Sequence, residues 1–339
     1  MPALARSPDS LLTLEGVHKA FGVVRRRGLG VERTLLRAVN GVTFAIREGE
    51  SFGIVGESGS GKSTLARLVM GIEKPTDGVI AYRGEDVSVL TSRDARAYWR
   101  EVQIVFQDPF SSLNPRMRIG NILSEPLRNF SDLRAERWAA RVEQVLGLVG
   151  LPASAARRFP HELSGGQRQR VAIAAALAAD PKVIIADEAV SALDVSVQAQ
   201  IVNLLVDLRA RLGLTYIFIT HDLNLCAYFC DRIAVLYLGQ VMEICSAERL
   251  LSEPRHPYSR ALISAVPSID AGRRRQRIAL SGEIPSPMEP PPGCPFEPRC
   301  ALAVPRCGHE RPQLVDVGES RRIACHVVAD AMRASPAVT

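Results

Sequence analysis

The stretch that most constrains the fold of this chain is GESGSGKST, residues 56–64. The mostly apolar run SFGIV precedes it, and the run KSTLARLVMGI that follows has the spacing of an amphipathic helix. Strand, glycine loop and helix, in that order, form the setting in which G-x-x-x-x-G-K-[ST] binds nucleotide phosphates. A glycine-rich turn that contained lysine by chance would not need both neighbours, so we interpret the stretch as a phosphate loop.

Each part of this loop has a chemical use. The glycines let backbone N–H groups turn towards phosphate oxygens, and the N-terminus of the following helix adds a field that favours anions. Lys62 would neutralise β- and γ-phosphate charge, and the Ser63 hydroxyl would coordinate Mg²⁺. The nucleotide-binding candidates are Gly56, Glu57, Ser58, Gly59, Ser60, Gly61, Lys62, Ser63 and Thr64. The loop alone does not separate a kinase, a GTPase and a transporter ATPase.

Predicted strands and helices alternate along a chain of 339 residues, which is long enough for one large domain and a smaller appendage. Strands are predicted at 12–22, 38–55, 182–186 and 215–220, helices at 164–179 and 191–212, a basic loop at 23–36, and a mostly helical stretch at 88–160. This alternation predicts an α/β fold with a parallel sheet and right-handed crossovers. The composition changes after Pro267, so we place a domain boundary near residue 265.

Charge and hydropathy disfavour several classes of protein. No apolar run approaches the roughly 18–20 residues that span a bilayer, and MPALARSPDSLL lacks the apolar core of a secretory signal. We therefore expect a cytosolic protein with reduced thiols. The net charge is +6, with basic clusters at 25–27 and 273–277, but only 5% of the residues are aromatic. The clusters indicate solvated surface and no nucleic-acid partner, and leave open a weak attraction to anionic membranes.

Two acids and a histidine follow predicted strands. Asp187 and Glu188 come directly after KVIIA, and His221 comes directly after TYIFIT. Since ligands bind beyond the carboxyl ends of strands in such sheets, we expect all three on the edge that carries the phosphate loop. Asp187 would hold Mg²⁺, Glu188 would polarise the attacking water, and His221 would link the γ-phosphate to Glu188. Alone, each would be an ordinary residue at a strand end; together they favour hydrolysis of a γ-phosphate.

The run LSGGQRQR at 163–170 points to a class of protein, because it would open a second helix towards an anion. With the phosphate loop, Gln107, ADEAVSALD and His221, in that order, it resembles the ATP-binding cassette (ABC) family. The resemblance implies a P-loop NTPase cassette of the α/β class, with a mixed sheet, an antiparallel β subdomain and a helical signature subdomain. The implied bounds are 12–265 for the cassette, about 100–170 for its helical subdomain, and 266–339 for a small Cys/Pro-rich C-terminal extension.

The same resemblance implies roles for individual residues. Four signature residues would bind the ATP of a partner cassette, so that two ATP molecules lie between two cassettes that close on binding and reset on hydrolysis. These are Ser164, Gly165, Gly166 and Gln167. Gln107 would sense Mg²⁺ and the attacking water beside the surface that meets membrane subunits, and Asp194 would belong to the loop that couples the ATP sites. Phe21 would either stack on adenine or be a core aromatic residue.

Four further runs resemble the ATPases of oligopeptide and dipeptide importers, including their nickel and opine relatives: FQDPFSSLNPRM, SALDVSVQAQIVNLL, HPYSRALISAVP and GEIPSP. The resemblance implies a heterodimer with a sister ATPase on two transmembrane permease subunits, supplied by an extracytoplasmic binding protein. The chain would lie peripherally on the cytoplasmic face of the inner membrane. Ala189 and Ala175 replace the usual proline and arginine. Ala189 could loosen the turn after Glu188, but we expect ATPase activity to be retained.

Other functions stay open from the sequence. The same import machinery could carry nickel, opines or another small solute instead of peptides. A soluble cassette protein acting on ribosomes or DNA would usually fuse two cassettes or split one around a coiled coil, and this sequence has neither pattern. An exporter half would normally carry its own membrane helices.

Four of the seven cysteines lie in the proline-rich tail: Cys294, Cys300, Cys307 and Cys325. In a reducing compartment a disulfide framework is not expected, and four thiolates suit an iron–sulfur cluster or Zn²⁺. Structural zinc sites usually contain cysteine pairs two to four residues apart, which this tail lacks. The resemblance implies a [4Fe–4S] cluster, since some peptide-importer ATPases use this tail in that way. Zinc and four free thiols stay open as alternatives.

Overall fold

A computed structural model of the chain describes residues 10–27, 30–108, 112–266 and 278–334, which form two sheets and the helices around them. The strands are β1 (Ser10–Arg27), β2 (Gly30–Arg47), β3 (Ser51–Val55), β4 (Asp77–Tyr82), β5 (Glu85–Asp86), β6 (Val102–Val105), β7 (Val183–Asp187), β8 (Thr215–Thr220), β9 (Arg232–Tyr237), β10 (Gln240–Ser246), β11 (Val315–Asp316) and β12 (Arg322–Ile323). The α-helices are α1 (Lys62–Val69), α2 (Ser92–Glu101), α3 (Ile119–Phe130), α4 (Trp138–Leu148), α5 (Gly165–Ala178), α6 (Val195–Leu212), α7 (Leu223–Phe229), α8 (Ala247–Ser252), α9 (Pro257–Ser264), α10 (Pro305–His309) and α11 (His326–Ala334).

The smaller sheet is antiparallel, with strand order β2-β1-β4-β5. Its long strands correct the prediction of a basic loop at 23–36, because β1 extends to Arg27 and β2 begins at Gly30. Phe21 lies opposite Leu36, and Val23 lies opposite Thr34. Cross-strand pairs of apolar and β-branched residues stabilise a hairpin even where basic residues and glycines weaken the local strand signal.

The larger sheet has the order β11-β12-β10-β9-β3-β8-β7-β6. Strand β3 is parallel to β8 and β9, and β7 is parallel to β8 and β6. All residues of β3, β7 and β8 are buried, which explains their nearly continuous apolar sequences. The predicted strands at 182–186 and 215–220 are thus confirmed. Strand β6 lies in the stretch predicted to be mostly helical, because four residues are too few to show a period.

The helices between β6 and β7 carry apolar residues at helical spacing. Ile119, Ile122 and Leu123 of α3 are buried in one core cluster together with Val142 and Leu146 of α4. Helix α5 packs against both, and its N-terminus is the start of the signature run. Within the described ranges, no helix is both long enough and apolar enough to cross a bilayer.

The C-terminal residues add to the edge of the larger sheet. Strand β12 pairs with β10, where Ile323 lies opposite Glu243, and β11 pairs with β12. The carboxylate of Glu243 accepts a 2.6 Å hydrogen bond from Nη1 of Arg321, and both side chains are fully buried. The predicted boundary near 265 stays a prediction, since residues 267–277 lie outside the described part of the chain. The basic cluster at 273–277 lies there as well.

Candidate active site

The phosphate loop connects the end of β3 to the start of α1, and close backbone approaches determine its shape. A Cβ atom on Gly56 would lie 2.2 Å from the backbone oxygen of Leu236. A Cβ atom on Gly61 would lie 2.2 Å from the backbone oxygen of Ala38, and Gly61 has φ +100°. Only glycine fits either position without moving the backbone, so the loop depends on two contacts that are far away in sequence.

The side chain of Lys62 bends back over this loop. Its Nζ donates to the backbone oxygens of Gly56 and Glu57, at 2.8 and 2.9 Å. Burial lowers the pKa of Lys62, while the nearby carboxylates of Glu188, Asp187 and Glu57 oppose that shift. Nζ also lies 3.4 Å from Oγ of Ser60. A buried cation that is bound by neutral carbonyl and hydroxyl oxygens can exchange them for charged phosphate oxygens.

Ser63 and Asp187 join the phosphate loop to the neighbouring strand end. Oγ of Ser63 lies 3.1 Å from Oδ1 of Asp187, within hydrogen-bonding distance. Burial raises the pKa of Asp187, and the Glu188 carboxylate adds to the rise, whereas the hydrogen bond from Ser63 and the charges of Arg67 and Lys62 lower it. The hydroxyl and the carboxylate are the hard oxygen ligands that Mg²⁺ prefers.

Glu188 and His221 follow adjacent strands on the same edge. Nδ1 of His221 lies 3.7 Å from Oε2 of Glu188; the histidine is mostly exposed. Glu188 has φ +50°, and its N–H donates to the backbone oxygen of Ile219 at 2.9 Å. The turn closes through Ser191, whose N–H and Oγ both donate to the Glu188 carbonyl. Ala189 is buried in this turn, which is therefore hydrogen-bonded without the proline of the family.

Gln107 follows strand β6, which lies beside β7. Its side chain is exposed, two residues beyond the end of the strand. The parallel pairing of β6 with β7 directs this loop towards the edge that carries Asp187. Among the described residues, no hydrogen bond joins the side chains of Gln107 and Asp187, whose carboxylate pairs with Ser63. The role of Gln107 stays a prediction.

The signature run caps a helix as its sequence predicts. Oγ of Ser164 accepts a hydrogen bond from the Gln167 N–H, and the Gln167 side chain accepts one from the Ser164 N–H, which makes a capping box. Ser164 is exposed, so the helix N-terminus is open to solvent. A Cβ atom on Gly166 would lie 2.7 Å from Cγ1 of Val197, and Gly165 lies next to it. Helix α6 therefore packs directly against Gly166.

Two further candidates lie at strand or helix positions. Asp194 is the N-cap residue of α6, its side chain makes no capping hydrogen bond, and it is exposed. Phe21 lies in β1 and is half-buried, with Nζ of Lys19 4.9 Å from its ring centre. Neither interpretation of Phe21 is decided by this contact.

Two residues near the phosphate loop were missed by the sequence reasoning. Oη of Tyr258 accepts a hydrogen bond from the Glu57 N–H at 3.1 Å, and Arg299 forms an ion pair with the Glu57 carboxylate. Tyr258 belongs to HPYSRALISAVP, which served only as a subfamily marker. No local signal in the sequence points from Arg299 to a loop 242 residues earlier.

The four tail cysteines line a single small cavity of about 10 Å³, together with His256 and His326. The N–H of Cys294 donates to the backbone oxygen of Cys307 at 2.8 Å. Burial raises the pKa of Cys300 and Cys325, and it raises that of Cys294 to about 11. In the described part of the chain, no group of three or more histidine, cysteine or acidic side chains is arranged to hold a metal ion. The other three cysteines, Cys226, Cys230 and Cys245, are buried.

Two family models match this sequence. The model described as ABC transporter matches residues 39–191, and the model described as oligopeptide/dipeptide transporter, C-terminal region, matches residues 242–307. The second match begins in β10 and includes three of the four tail cysteines.

Curated relatives extend the likeness to almost the whole chain. The putative oligopeptide transport ATP-binding protein YkfD of Bacillus subtilis is 49% identical over 306 residues, covering 89% of this chain and 92% of the relative. The oligopeptide transport ATP-binding protein AppF of the same organism is 45% identical, covering 95% of this chain and 99% of the relative. A probable peptide ABC transporter ATP-binding protein of Sinorhizobium fredii is 48% identical, covering 96% of this chain and 92% of the relative.

Solved structures confirm the predicted cassette fold. CbiO1 from Clostridium perfringens, described as part of an ABC transporter complex, has a TM-score of 0.62 and 30% identity, covering 72% of this chain and 92% of its own. The cassette MJ0796, solved as a dimer bound to ADP and phosphate, has a TM-score of 0.59 and 31% identity, and the match covers 70% of this chain and 98% of MJ0796. The chain therefore belongs to the ABC ATPase family, in the branch whose members carry the oligopeptide/dipeptide transporter C-terminal region.

Proposed function

We propose that this chain hydrolyses ATP to energise the import of peptides across the cytoplasmic membrane through partner permease subunits. The observation that carries the proposal is the convergence of Lys62, Ser63, Asp187, Glu188 and His221 on one sheet edge, through contacts of 3.7 Å or less between their side chains or with the loop. The solute is inferred from the relatives, whose names describe oligopeptide or peptide transport.

In the proposed reaction, the phosphate loop holds the β- and γ-phosphates. Lys62 moves from the Gly56 and Glu57 carbonyls to phosphate oxygens, and Glu188 accepts a proton from the attacking water. The water oxygen bonds to the γ-phosphorus, the bond to the bridging oxygen breaks, and ADP leaves with that electron pair. His221 would orient Glu188 and the γ-phosphate. Mg²⁺ would be held by Ser63 and Asp187, with Gln107, and would neutralise charge on the phosphates.

The proposed assembly contains two cassettes. The ABC family implies that cassettes pair and that they work with permeases; a sister ATPase and an extracytoplasmic binding protein are the finer proposal. The exposed N-terminus of α5, with Ser164 and Gly165, would face the ATP of the partner cassette, and Asp194 would couple the two sites. Such an assembly would hold this chain peripherally on the cytoplasmic face of the membrane.

For Phe21 we propose adenine stacking on the ring. Lys19 already lies over the ring at 4.9 Å, so the base would either displace the ammonium group or use the opposite face.

We also propose that the tail cysteines bind a [4Fe–4S] cluster. Four thiols around one cavity are the donor type that such a cluster uses, but within the described residues they are not arranged to hold a metal ion. The cavity of about 10 Å³ is no larger than one water molecule needs, so cluster binding would have to move the thiols apart. About four irons per chain and absorbance near ~400 nm after anaerobic purification would support this proposal. Zinc alone, or no metal at all, would contradict it.

Copurification with the membrane subunits would test the import function. The complex, reconstituted in lipid vesicles with its binding protein, should hydrolyse ATP faster in the presence of dipeptides or longer peptides, and a Glu188→Gln complex should not. Stimulation by Ni²⁺ or another solute alone would contradict peptide import, and a chain that copurifies with ribosomes instead would contradict transport altogether.

A further inference from the structure

Glu57, the second residue of the phosphate loop, is held from three sides. Its N–H donates to Oη of Tyr258 at 3.1 Å, and its carbonyl accepts from Nζ of Lys62 at 2.9 Å. Its carboxylate faces both terminal nitrogens of Arg299, with Nη1 to Oε2 at 3.0 Å and Nη2 to Oε1 at 3.4 Å. The third contact is a bidentate ion pair between the phosphate loop and the C-terminal segment.

The environment of Arg299 commits its guanidinium to this pair. The side chain is 8% exposed and that of Glu57 is 26% exposed, so water screens the pair only in part. Nη1 also donates to Oη of Tyr237 at 3.3 Å, and within the described residues the buried Nε has no partner. A buried cation with one carboxylate neighbour costs more to leave unpaired than a surface cation does.

The segment that carries Arg299 is anchored on the cassette. Phe296, three residues earlier and 1% exposed, packs edge-on against Tyr237 with ring centres 5.4 Å apart. It also contacts the rings of Tyr258 and His256, at 5.3 and 6.0 Å. Tyr258 also binds Glu57, and Tyr237 also binds Arg299. The aromatic cluster therefore positions both members of the ion pair.

A carboxylate in a phosphate loop repels the negatively charged phosphates that the loop would bind. ATP brings several negative charges to it, and the charge of Glu57 is close enough to act on the pKa of Lys62. We infer that Arg299 is a positioning residue for ATP binding, which neutralises Glu57 and holds its carboxylate beside Tyr237. The inference rests on the proposed role of the phosphate loop in binding ATP. The C-terminal segment would then be part of the ATPase site, although it follows the last cassette motif in the sequence.

The test is a double-mutant cycle on Arg299 and Glu57 in the full chain. The variants are Arg299→Gln, Glu57→Gln and the double variant, with Arg306→Gln as a matched control, because Arg306 pairs with Glu310 on the surface of the same tail. The dissociation constant of a fluorescent ATP analogue is measured with Mg²⁺. Arg299→Gln should raise it about tenfold, the effect of one uncompensated charge a few ångströms away in a partly hydrated site. Glu57→Gln should bind the analogue more tightly than wild type, because the charge of Arg299 is then uncompensated. The double variant should bind more tightly than Arg299→Gln, and Arg306→Gln should bind as wild type.

Rescue by the second substitution separates charge neutralisation from support of the fold. If Arg299→Gln binds as wild type, or if the double variant is as weak as the single variant, the inference is wrong. If Arg299→Gln does not fold, Glu57→Gln decides alone, since binding by that variant no tighter than that of wild type contradicts the inference. Lys62→Ala tests the underlying proposal separately: unchanged ATP binding in that variant would contradict the role of the loop itself.

Discussion

The hydroxyl oxygen of Ser63 and a carboxylate oxygen of Asp187 lie 3.1 Å apart, although 124 residues separate them in the sequence. This contact joins the helix after the phosphate loop to the end of β7. It places one hydroxyl and one carboxylate where a hard cation could take both.

Ser63→Ala should therefore weaken binding of ATP with Mg²⁺ without weakening that of ATP alone. The substitution removes one oxygen ligand and leaves the loop backbone in place. Titration with ATP in Mg²⁺ and in excess chelator would show this difference. An equal loss under both conditions would mean that the hydroxyl acts on the loop and not on the cation.

Glu188→Gln should reduce ATP hydrolysis by about 10²–10⁴-fold while ATP still binds, because the amide cannot accept the proton of the attacking water. Phosphate release by the assembled complex and nucleotide binding by the chain would be measured side by side. The retained turn around Ala189 predicts that the wild type is active. Hydrolysis by the wild type no faster than by the variant would contradict that expectation.

Gly61→Ala should damage the phosphate loop more than Gly59→Ala. Both glycines have positive φ, which costs an alanine about 1–2 kcal/mol. A Cβ atom on Gly61 would also collide with the Ala38 oxygen, whereas one on Gly59 would meet nothing within 4 Å. We expect a total cost of about 3 kcal/mol or more for Gly61→Ala. Thermal unfolding and ATP affinity would compare the pair, and equal losses would show that only the backbone angle matters.

Arg321→Met should destabilise the chain by about 3–5 kcal/mol, because it leaves the fully buried carboxylate of Glu243 without its cation. The N–H groups of Arg255 and His256 would still bind that carboxylate but do not neutralise it. Denaturant unfolding would measure the loss, with Arg306→Met as a surface control. A loss as small as that of the control would show that the two N–H groups suffice.

His256 should make the fold sensitive to acid. Burial lowers its pKa to about 4, from an ordinary value of 6.5, so the folded chain holds the ring neutral. Between pH 6.5 and about 4, the His256 ring takes up a proton in the unfolded chain but stays neutral in the folded chain. This residue therefore does not lower the free energy of unfolding above pH 6.5, and it lowers that free energy progressively as the pH drops towards 4. The slope from this residue is at most about 1.4 kcal/mol per pH unit. His256→Gln should remove that part of the slope in unfolding curves between pH 7 and 5, and an unchanged slope would assign the acid sensitivity to other groups.

The elements that the sequence predicted best are those with strong local signals. The apolar runs of β7, β8 and the helix after the signature have lengths and bounds that can be recognised without knowing their neighbours. The edge that collects Lys62, Asp187 and His221 was also predictable, because parallel strands end on the same side. Local rules were enough for both.

What the sequence did not predict depends on pairing over long distances. Cross-strand neighbours stabilise the pairing of β1 with β2, and strand β6 has only four residues. Strands β11 and β12, with two residues each, depend on pairing, since β12 pairs with β10 and β11 pairs with β12. The pair of Arg299 with Glu57 has no signature in either segment, since any surface arginine looks the same in sequence.

Strand β10 is flanked by β9 on one side and by β12 on the other. A chain cut near residue 265 would keep every cassette motif but would leave the second side of β10 with unpaired backbone groups. Such bare strand edges pair readily with other chains. We therefore expect the truncated cassette to aggregate even if its ATP site is intact. In the full chain, β12 covers this edge of β10 and would prevent such self-association.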